Sequence, residues 1–261
     1  MLCLSEAGDP VCMYSGIPYP SVWEGRDIRL TQLIDNMSHP GHRQAVNGRK
    51  GLFTLTGEAF FSVYGQDPDS DIFYGFPGHR HFKLGNLLLG YLKLAKQLLY
   101  LEGESREIRK PFPCPAGKLE VLESPGPELD EFWRRVSPHF RICVKRDFTF
   151  LKWRYFDHPS NRYRFYVWRD FRGRIRAYAV VLFRDRYATI VDLAAIPRGR
   201  EVGRIMAALR KECRDQGVER IRAWISPDNF LADQLVNSGL APGQEPTGII
   251  LTGRKIGRAH V

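Results

Sequence analysis

The chain has few cysteines, and none is spaced for chemistry. Its five (Cys3, Cys12, Cys114, Cys143 and Cys213) are an odd number, lie far apart and form no C-x-x-C pair. That excludes a disulfide framework and a cysteine zinc site, leaves ordinary half-buried thiols as the reading, and makes a reducing cytoplasm the expected compartment. A long apolar run is also missing. The richest stretch, Leu84 to Leu101, is broken by Asn86, Lys93, Lys96 and Gln97, whereas a membrane span needs about 20 mostly apolar residues; no span is expected. The N-terminus lacks the basic segment and apolar core of a signal peptide. His39-x-x-His42 and His79-x-His81 have no acidic or cysteine ligand at a spacing that completes a tetrahedral set, so no metal is expected.

What is present is a globular composition. The 261 residues are 43% hydrophobic and 12% aromatic, enough for one large domain or two of about 100–150 residues, and too apolar for disorder. The net charge of +10 is unevenly placed: residues 1–102 carry 9 basic and 10 acidic side chains, residues 103–261 carry 30 and 19. Arginine outnumbers lysine 29 to 10. Arginine suits bidentate contact with phosphate or carboxylate, so an anionic ligand near the second half is one reading; solvated charge on helix and strand faces is the other.

A long-period repeat organises the chain. In the first half, strands are expected at Leu2–Ser5, Pro10–Ser15 and Ile28–Asn36. The turn His39-Pro-Gly-His-Arg43, the loop Asn47-Gly-Arg-Lys-Gly51 and a helix beginning at Leu52 follow. A strand at Asp71–Phe76, a helix at His81–Leu89 closed by Gly90, and a strand at Tyr91–Glu102 complete that half. Residues 103–117, with Pro111, Pro113 and Pro115, read as a linker. The second half then reads as a strand at Lys118–Glu123, helices at Glu128–Val136 and Asp147–Phe156, and a hairpin of Tyr163–Arg169 and Ile175–Phe183. A strand at Tyr187–Ile196, a helix at Glu201–Gln216, a strand at Ile221–Ile225, a helix at Asn229–Asn237 and a last strand at Thr247–Thr252 follow. The two halves share this order, the first without its opening strand and two helices.

Two loops could hold a phosphate, which needs converging N–H donors, a helix N-terminus and close backbone approach. Asn47-Gly-Arg-Lys-Gly51-Leu-Phe offers these together with Arg49 and Lys50; Pro197-Arg-Gly-Arg200-Glu-Val-Gly203 is its counterpart. Either could equally be an ordinary glycine-containing helix entry. The first is favoured, because Glu201 at the start of the second helix would repel a pyrophosphate. Asp35 and His39 flank the end of a strand and could act as base or substrate contact; a strand-end hydrogen bond and a plain loop residue are the alternatives. Asp192, in Ile190-Val-Asp-Leu193, is the repeat counterpart of Asp35, and a carboxylate in an apolar strand needs a partner such as an arginine, or a place on a cleft. Trp153, Arg154, Tyr155 and Phe156 read either as core packing of an amphipathic helix or as a stacking surface.

The element order and these residues resemble the GNAT superfamily of acyl-CoA N-acyltransferases. That family's Gln/Arg-x-x-Gly-x-Gly/Ala loop is similar to Arg200-Glu-Val-Gly203-Arg-Ile205, except that Ile205 stands where a small residue is usual. Its later Asn-x-x-Ala helix is similar to Asn229-Phe-Leu-Ala232 through Gly239-Leu240, with Val236 in place of the tyrosine that often serves as general acid. In the first half, Asp35–Pro40 through Gly51 and Tyr74–Pro77 through Tyr91 look like the corresponding segments, with Leu87 where that tyrosine would fall. The resemblance implies a mixed α/β fold of two tandem GNAT-like domains, with a partial domain at 1–102, a linker at 103–117 and a second domain at 118–254. It implies acetyl-CoA or another acyl-CoA as substrate, no metal, and a small-molecule or glycan amine as acceptor, without nucleic acid. Cofactor contacts are then expected at Asn36, Met37, Arg49, Lys50, Gly51, Leu52, Arg200, Gly203 and Asn229, with a backbone N–H near Asn36–Ser38 facing the thioester oxygen, and Asp35 and His39 as catalytic candidates. Two other readings share the layout: a non-catalytic module holding an anionic partner, and a peptidoglycan-bridge-type aminoacyltransferase. The ending Ile256-Gly-Arg-Ala-His-Val261 matches the translation of a sequencing adapter, so residues 255–261 are expected to be non-native and the chain a fragment.

Overall fold

The computed structural model describes residues 1–42, 51–65, 72–107 and 116–255. They form two compact units, each mixed α/β and each built on a sheet of seven described strands. Cys3, Cys12, Cys143 and Cys213 are free thiols. Among the described residues, no helix is long and apolar enough to cross a membrane.

The first unit comprises Met1–Gln97, Ile142–Val144 and the chain from Pro246. Strand β1 (Leu2–Leu4) pairs with β2 (Pro10–Trp23), which pairs along its length with β3 (Arg26–Ser38). The β2–β3 turn is Glu24-Gly25, both at positive φ (50° and 79°), the backbone twist that a two-residue hairpin requires. β2 runs eight residues past the expected Ser15. Pro18 and Pro20 obscured this, because proline cannot donate to a ladder. They are tolerated between the stretch that pairs with β1 and the stretch, Ser21–Trp23, that pairs with β8 (Ile142–Val144). Helix α1 (Leu52–Tyr64), strand β4 (Ile72–Gly75) and helix α2 (His79–Leu89) follow. Gly90 closes α2 in the left-handed region at φ 70°, as its sequence position implies. α1 turns Thr54, Thr56, Gly57, Phe60 and Phe61 inward and leaves Leu55 and Val63 exposed. It can approach closely because a Cβ at Gly57 would lie 2.8 Å from Leu89 Cδ1 and 3.0 Å from Tyr14. Tyr14, Phe60, Phe61, Phe73, Leu89 and Tyr91 make the core.

Two expectations fail around this sheet. The apolar run 91–102 is not one strand. It is β5 (Leu92–Lys93) in the first sheet and β6 (Leu99–Glu104) in the second, separated by bends at Ala95 and Lys96. The last strand is not Thr247–Thr252 of the second domain. It is β14 (Thr252–Lys255), which lies between β4 and β5 in the first sheet. The units therefore part at Gln97 and Leu98, not within 103–117, and the chain from 246 to 254 belongs to the first unit. β6 is held there by a six-pair antiparallel ladder with the later strand Arg220–Ile225, to which Arg220 adds contacts with Glu102 at 2.6 Å and Glu104 at 3.3 Å.

The second unit, Leu98–Arg141 with Lys145–Glu245, contains β7 (Gly117–Leu122), β9 (Tyr163–Asp170), β10 (Ile175–Arg184), β11 (Tyr187–Ala195), β12 (Arg220–Ile225) and β13 (Ala241–Pro242) beside β6. Helices α3 (Glu128–Val136), α4 (Phe148–Leu151), α5 (Glu201–Asp215) and α6 (Leu231–Asn237) cover it. The Asp147 carboxylate caps α4 by accepting from the Phe150 N–H at 2.9 Å. The helix then loosens into a π turn over Lys152–Phe156. The expected α5 face is the buried one: Val202, Ile205, Met206, Leu209 and Cys213 pack against the sheet, and burial pushes the Cys213 thiol up to about 11.

Candidate functional site

In the first unit, β3 and β4 run parallel for four registered pairs, Leu30↔Ile72 to Leu33↔Gly75. Beyond Leu33, β3 continues to Ser38. On its other side the register with β2 slips between Met13 and Ser15, so that Tyr14 opposes both Asp35 and Asn36, and Asp35 takes φ 50°. A bulge of this kind bends a strand and re-aims its side chains. β4 ends at Gly75 while β3 runs on, and a cleft of about 410 Å³ opens there, bordered by Asp35, Asn36, Phe76, His81, Tyr91 and Thr252. A strand edge that has left its partner offers N–H and C=O groups to an extended ligand.

Tyr91 and His81 are the titratable groups on the inner side of this cleft that sequence reasoning missed. Tyr91 is 2% exposed. Its hydroxyl contacts the Tyr14 hydroxyl and is bonded by the Asn36 side chain. Burial raises the Tyr91 phenol, while its hydrogen bonds and nearby Arg254 oppose that rise. The His81 ring stacks on Tyr91 (centroids 6.1 Å, planes 15° apart) and meets Phe53 edge-on at 5.0 Å. Burial lowers His81 from its usual value, so its imidazole is neutral at pH 7. A neutral imidazole beside a protonated phenol gives the cleft one group that can accept a proton and one that can donate it.

Of the expected first-unit residues, Asp35 and Asn36 reach the cleft. The Asn36 side-chain oxygen also accepts from the Ser15 N–H at 2.8 Å, pinning the bulge. Met37 is 59% exposed and is not among the lining residues. His39 is not either: its Nδ1 accepts from the Gly41 N–H at 3.2 Å and its N–H donates to Val11 O at 2.8 Å, so it shapes the turn before Gly41. Gly51 is the N-cap of α1 in extended conformation, with Leu52 first in the helix. Among the described residues no acid stands in its first turn, so the positive end of the helix dipole faces no nearby carboxylate of its own. Arg49 and Lys50 lie outside the described residues. Leu87 is 76% exposed on α2, so that position could not have served the cleft.

The second unit repeats the geometry and fills it from within. β11 and β12 pair in parallel from Tyr187↔Arg220 to Ile190↔Ala223, and β11 bulges opposite Val180/Val181. There Asp192 accepts from Arg146 Nε at 2.7 Å, from the Leu193 N–H at 2.8 Å and from the Tyr155 hydroxyl at 3.1 Å. The partner that a buried carboxylate needs is therefore present, and the packing alternative holds for Tyr155. Phe156 packs on Phe165, while Trp153 is 48% exposed. At the start of α5, where Arg200 is N-cap and Gly203 lies in the first turn, the Glu201 carboxylate is 1% exposed and accepts from Arg176 Nε at 3.1 Å. It rests so closely on Gly199 that a Cβ there would lie 1.8 Å from its Oε2. Glu201 thus puts a buried carboxylate at the start of this helix. The Asn229 side chain accepts from the Leu231 N–H at 3.0 Å and so serves the start of α6. Arg200 and Gly203 share the start of α5 with a buried carboxylate whose Oε2 has no hydrogen-bond partner, and Asn229 is engaged by its own helix. Among the described residues, no group of three histidine, cysteine or acidic side chains could hold a metal.

No known family profile and no curated protein sequence matches the chain. Solved structures do. A GCN5-related N-acetyltransferase from Anabaena variabilis superposes with TM-score 0.70, covering 98% of this chain and 62% of that one at 13% identity. N-myristoyltransferase from Saccharomyces cerevisiae with bound myristoyl-CoA gives 0.58 over 96% of this chain and 65% of that one at 12% identity. A GCN5-related glucosamine N-acetyltransferase region of a fungal multi-domain β-N-acetylglucosaminidase gives 0.61 over 97% of this chain and 32% of that one at 17% identity. The chain spans about 60% of the length of the first structures it matches. At these identities the likeness fixes architecture, and the chain has the fold of the GCN5-related N-acyltransferases.

Proposed function

We propose that this chain is an acyl-CoA-dependent N-acyltransferase whose working cleft is in the first unit and whose acceptor is an amine. The observation that carries the reading is the cleft where β3 runs on past the end of β4 at the Asp35–Asn36 bulge, with the N-terminus of α1 following the same strand. An extended pantetheine arm fits along the free edge of β3. The pyrophosphate would lie at Gly51 and Leu52, with Arg49 and Lys50 supplying cations and the Asn36 backbone facing the thioester. Neutral His81 accepts the proton of the attacking amine, and Tyr91 supplies one to the departing sulfur. Exposed Asp35, at the cleft, attracts a cationic acceptor, for which glucosamine is a fitting probe of a glycan amine. The second unit, with the Glu201 carboxylate at the matching helix start, does not repeat that chemistry in this tandem arrangement. An acetyl group is the simplest acyl cargo.

Calorimetric titration of acetyl-CoA into the chain and into Gly51→Glu tests this. Gly51 has ordinary extended dihedrals (φ −67°, ψ 147°), so glutamate fits the backbone there while placing a like charge against the pyrophosphate. Micromolar binding that is lost in the variant is the expected result. Binding that survives unchanged would move the cofactor away from α1, and no binding to either protein would remove the acyltransferase reading.

A further inference from the structure

β14 carries one charged side chain into the interior of the first unit. Arg254 is registered with Phe73 on β4, and its guanidinium lies 3.6 Å from the centroid of the Phe61 ring. Its Nη1 is buried with no hydrogen-bond partner. The groups that act on this cation are Tyr14 from β2, Tyr91 before β5 and Glu58 from α1. Burial pulls the guanidinium down from its usual value, and these three push it back up. A half-buried cation needs compensation; here the face of the Phe61 ring lies against it, and Glu58 is the acid that acts on it. In return, Arg254 favours the ionised form of both phenols, against the burial that raises them. Tyr14 is fully buried, and its ring is held by Phe53, Phe60 and Phe61 at 5.7, 5.1 and 5.5 Å, so the partner of the Tyr91 hydroxyl cannot swing away.

We propose that Arg254 and Tyr14 are positioning residues for Tyr91: Tyr14 fixes the Tyr91 hydroxyl, and Arg254 stabilises the phenolate that exists after Tyr91 has given up its proton. The role in turnover rests on the acyltransferase reading; the coupling among the three side chains does not. In that turnover the amine nitrogen bonds to the acyl carbon, and the carbon–sulfur bond breaks with its electron pair going to sulfur. The Tyr91 proton goes to that sulfur and the amine proton to His81. His81 then returns a proton to Tyr91 through solvent, which leaves amide and free thiol. A phenol is a weak acid, and its proton transfer is eased when the phenolate it leaves is stabilised by a fixed cation.

The test uses the full chain with carbon-13 at the tyrosine Cζ, whose shift reports phenol hydrogen bonding and ionisation. Tyr14→Phe and Tyr91→Phe assign the two resonances. Expected is a displacement of both in Arg254→Met, return towards the wild-type positions in Arg254→Lys, and no change at the other tyrosines. Unchanged Tyr14 and Tyr91 resonances in a folded Arg254→Met protein overturn the inference, as does an Arg254→Lys protein indistinguishable from Arg254→Met. Where every tyrosine moves in Arg254→Met, the comparison of Arg254→Lys with wild type decides in the same way. Acetyl-CoA calorimetry on wild type judges the acyltransferase reading separately. With turnover on acetyl-CoA and glucosamine, Arg254→Met should lower kcat about 10-fold or more and leave KM for acetyl-CoA within about two-fold. A change confined to KM would overturn the catalytic half of the proposal.

Discussion

Replacing Gly85 by alanine tests whether Tyr91 is packed where the cleft needs it. Gly85 lies on α2, and a Cβ there would sit 2.2 Å from Tyr91 Cδ2, 2.5 Å from Cε2 and 2.7 Å from Cγ. An ordinary carbon contact is about 3.5 Å, so ring and helix must separate by about 1.3 Å. The ring has little room to yield. Its hydroxyl is held by Tyr14 and Asn36, the Tyr91 N–H donates to Gly85 O at 3.0 Å, and Asn86 Nδ2 donates to Tyr91 O at 2.6 Å. Overpacking of a tight site costs about 1–3 kcal/mol, while alanine in place of glycine within a helix returns up to about 1 kcal/mol. The net expectation is a loss of about 1–2 kcal/mol in denaturant unfolding, with weakened acetyl-CoA binding. Leu87→Ala on the same helix, at a position 76% exposed, should stay within about 0.5 kcal/mol of wild type. A Gly85→Ala protein as stable as Leu87→Ala, with unaltered acetyl-CoA affinity, would refute the placement of Tyr91 against α2.

Asp192→Ala should cost about 3 kcal/mol, because it strips the buried partner from Arg146 and Tyr155; urea unfolding of the second unit measures this, and a loss under about 1 kcal/mol would mean that the pair is solvated. His81 is held below its usual value near 6.5, so the unfolded chain takes up its proton first as pH falls. Stability should therefore be intact above about pH 7 and decline as pH drops through 6.5 towards the lower folded value. The melting temperature of His81→Gln should fall less than that of wild type between pH 7.5 and 5.5, and parallel curves would dispose of the burial argument. The acid limb of kcat/KM should likewise lie below pH 6.5 in wild type, if His81 is the base.

Local features were legible in the sequence because they obey local rules. The inward face of α5, the Gly90 ending of α2, the Asp170–Arg174 hairpin and the entry of α1 after Gly51 all follow from periodicity and capping. Asp35 stands out because it flanks the end of an apolar strand, and Asn36 because the resemblance places a backbone N–H there; both border the cleft. The expectation for His39 rested on residue type and closeness in sequence alone, and its ring is spent on a turn.

The sequence by itself determined the fold class, most elements and, in Asp35 and Asn36, two residues that border the cleft. Tertiary structure alone decided what the cleft contains. Tyr91 reads locally as the first residue of an apolar run, and its meeting with Tyr14, 77 residues away, depends on register across the sheet. The placing of β14 beside β4, which brings Arg254 to that pair, is a contact between residues some 180 positions apart. The placing of the Glu201 carboxylate is of the same kind: it lies against Gly199 and pairs with Arg176, 25 residues before it. Periodicity and capping carry information over a few residues, whereas these three arrangements are set by which strands pair and by which side chains the closed core leaves facing one another.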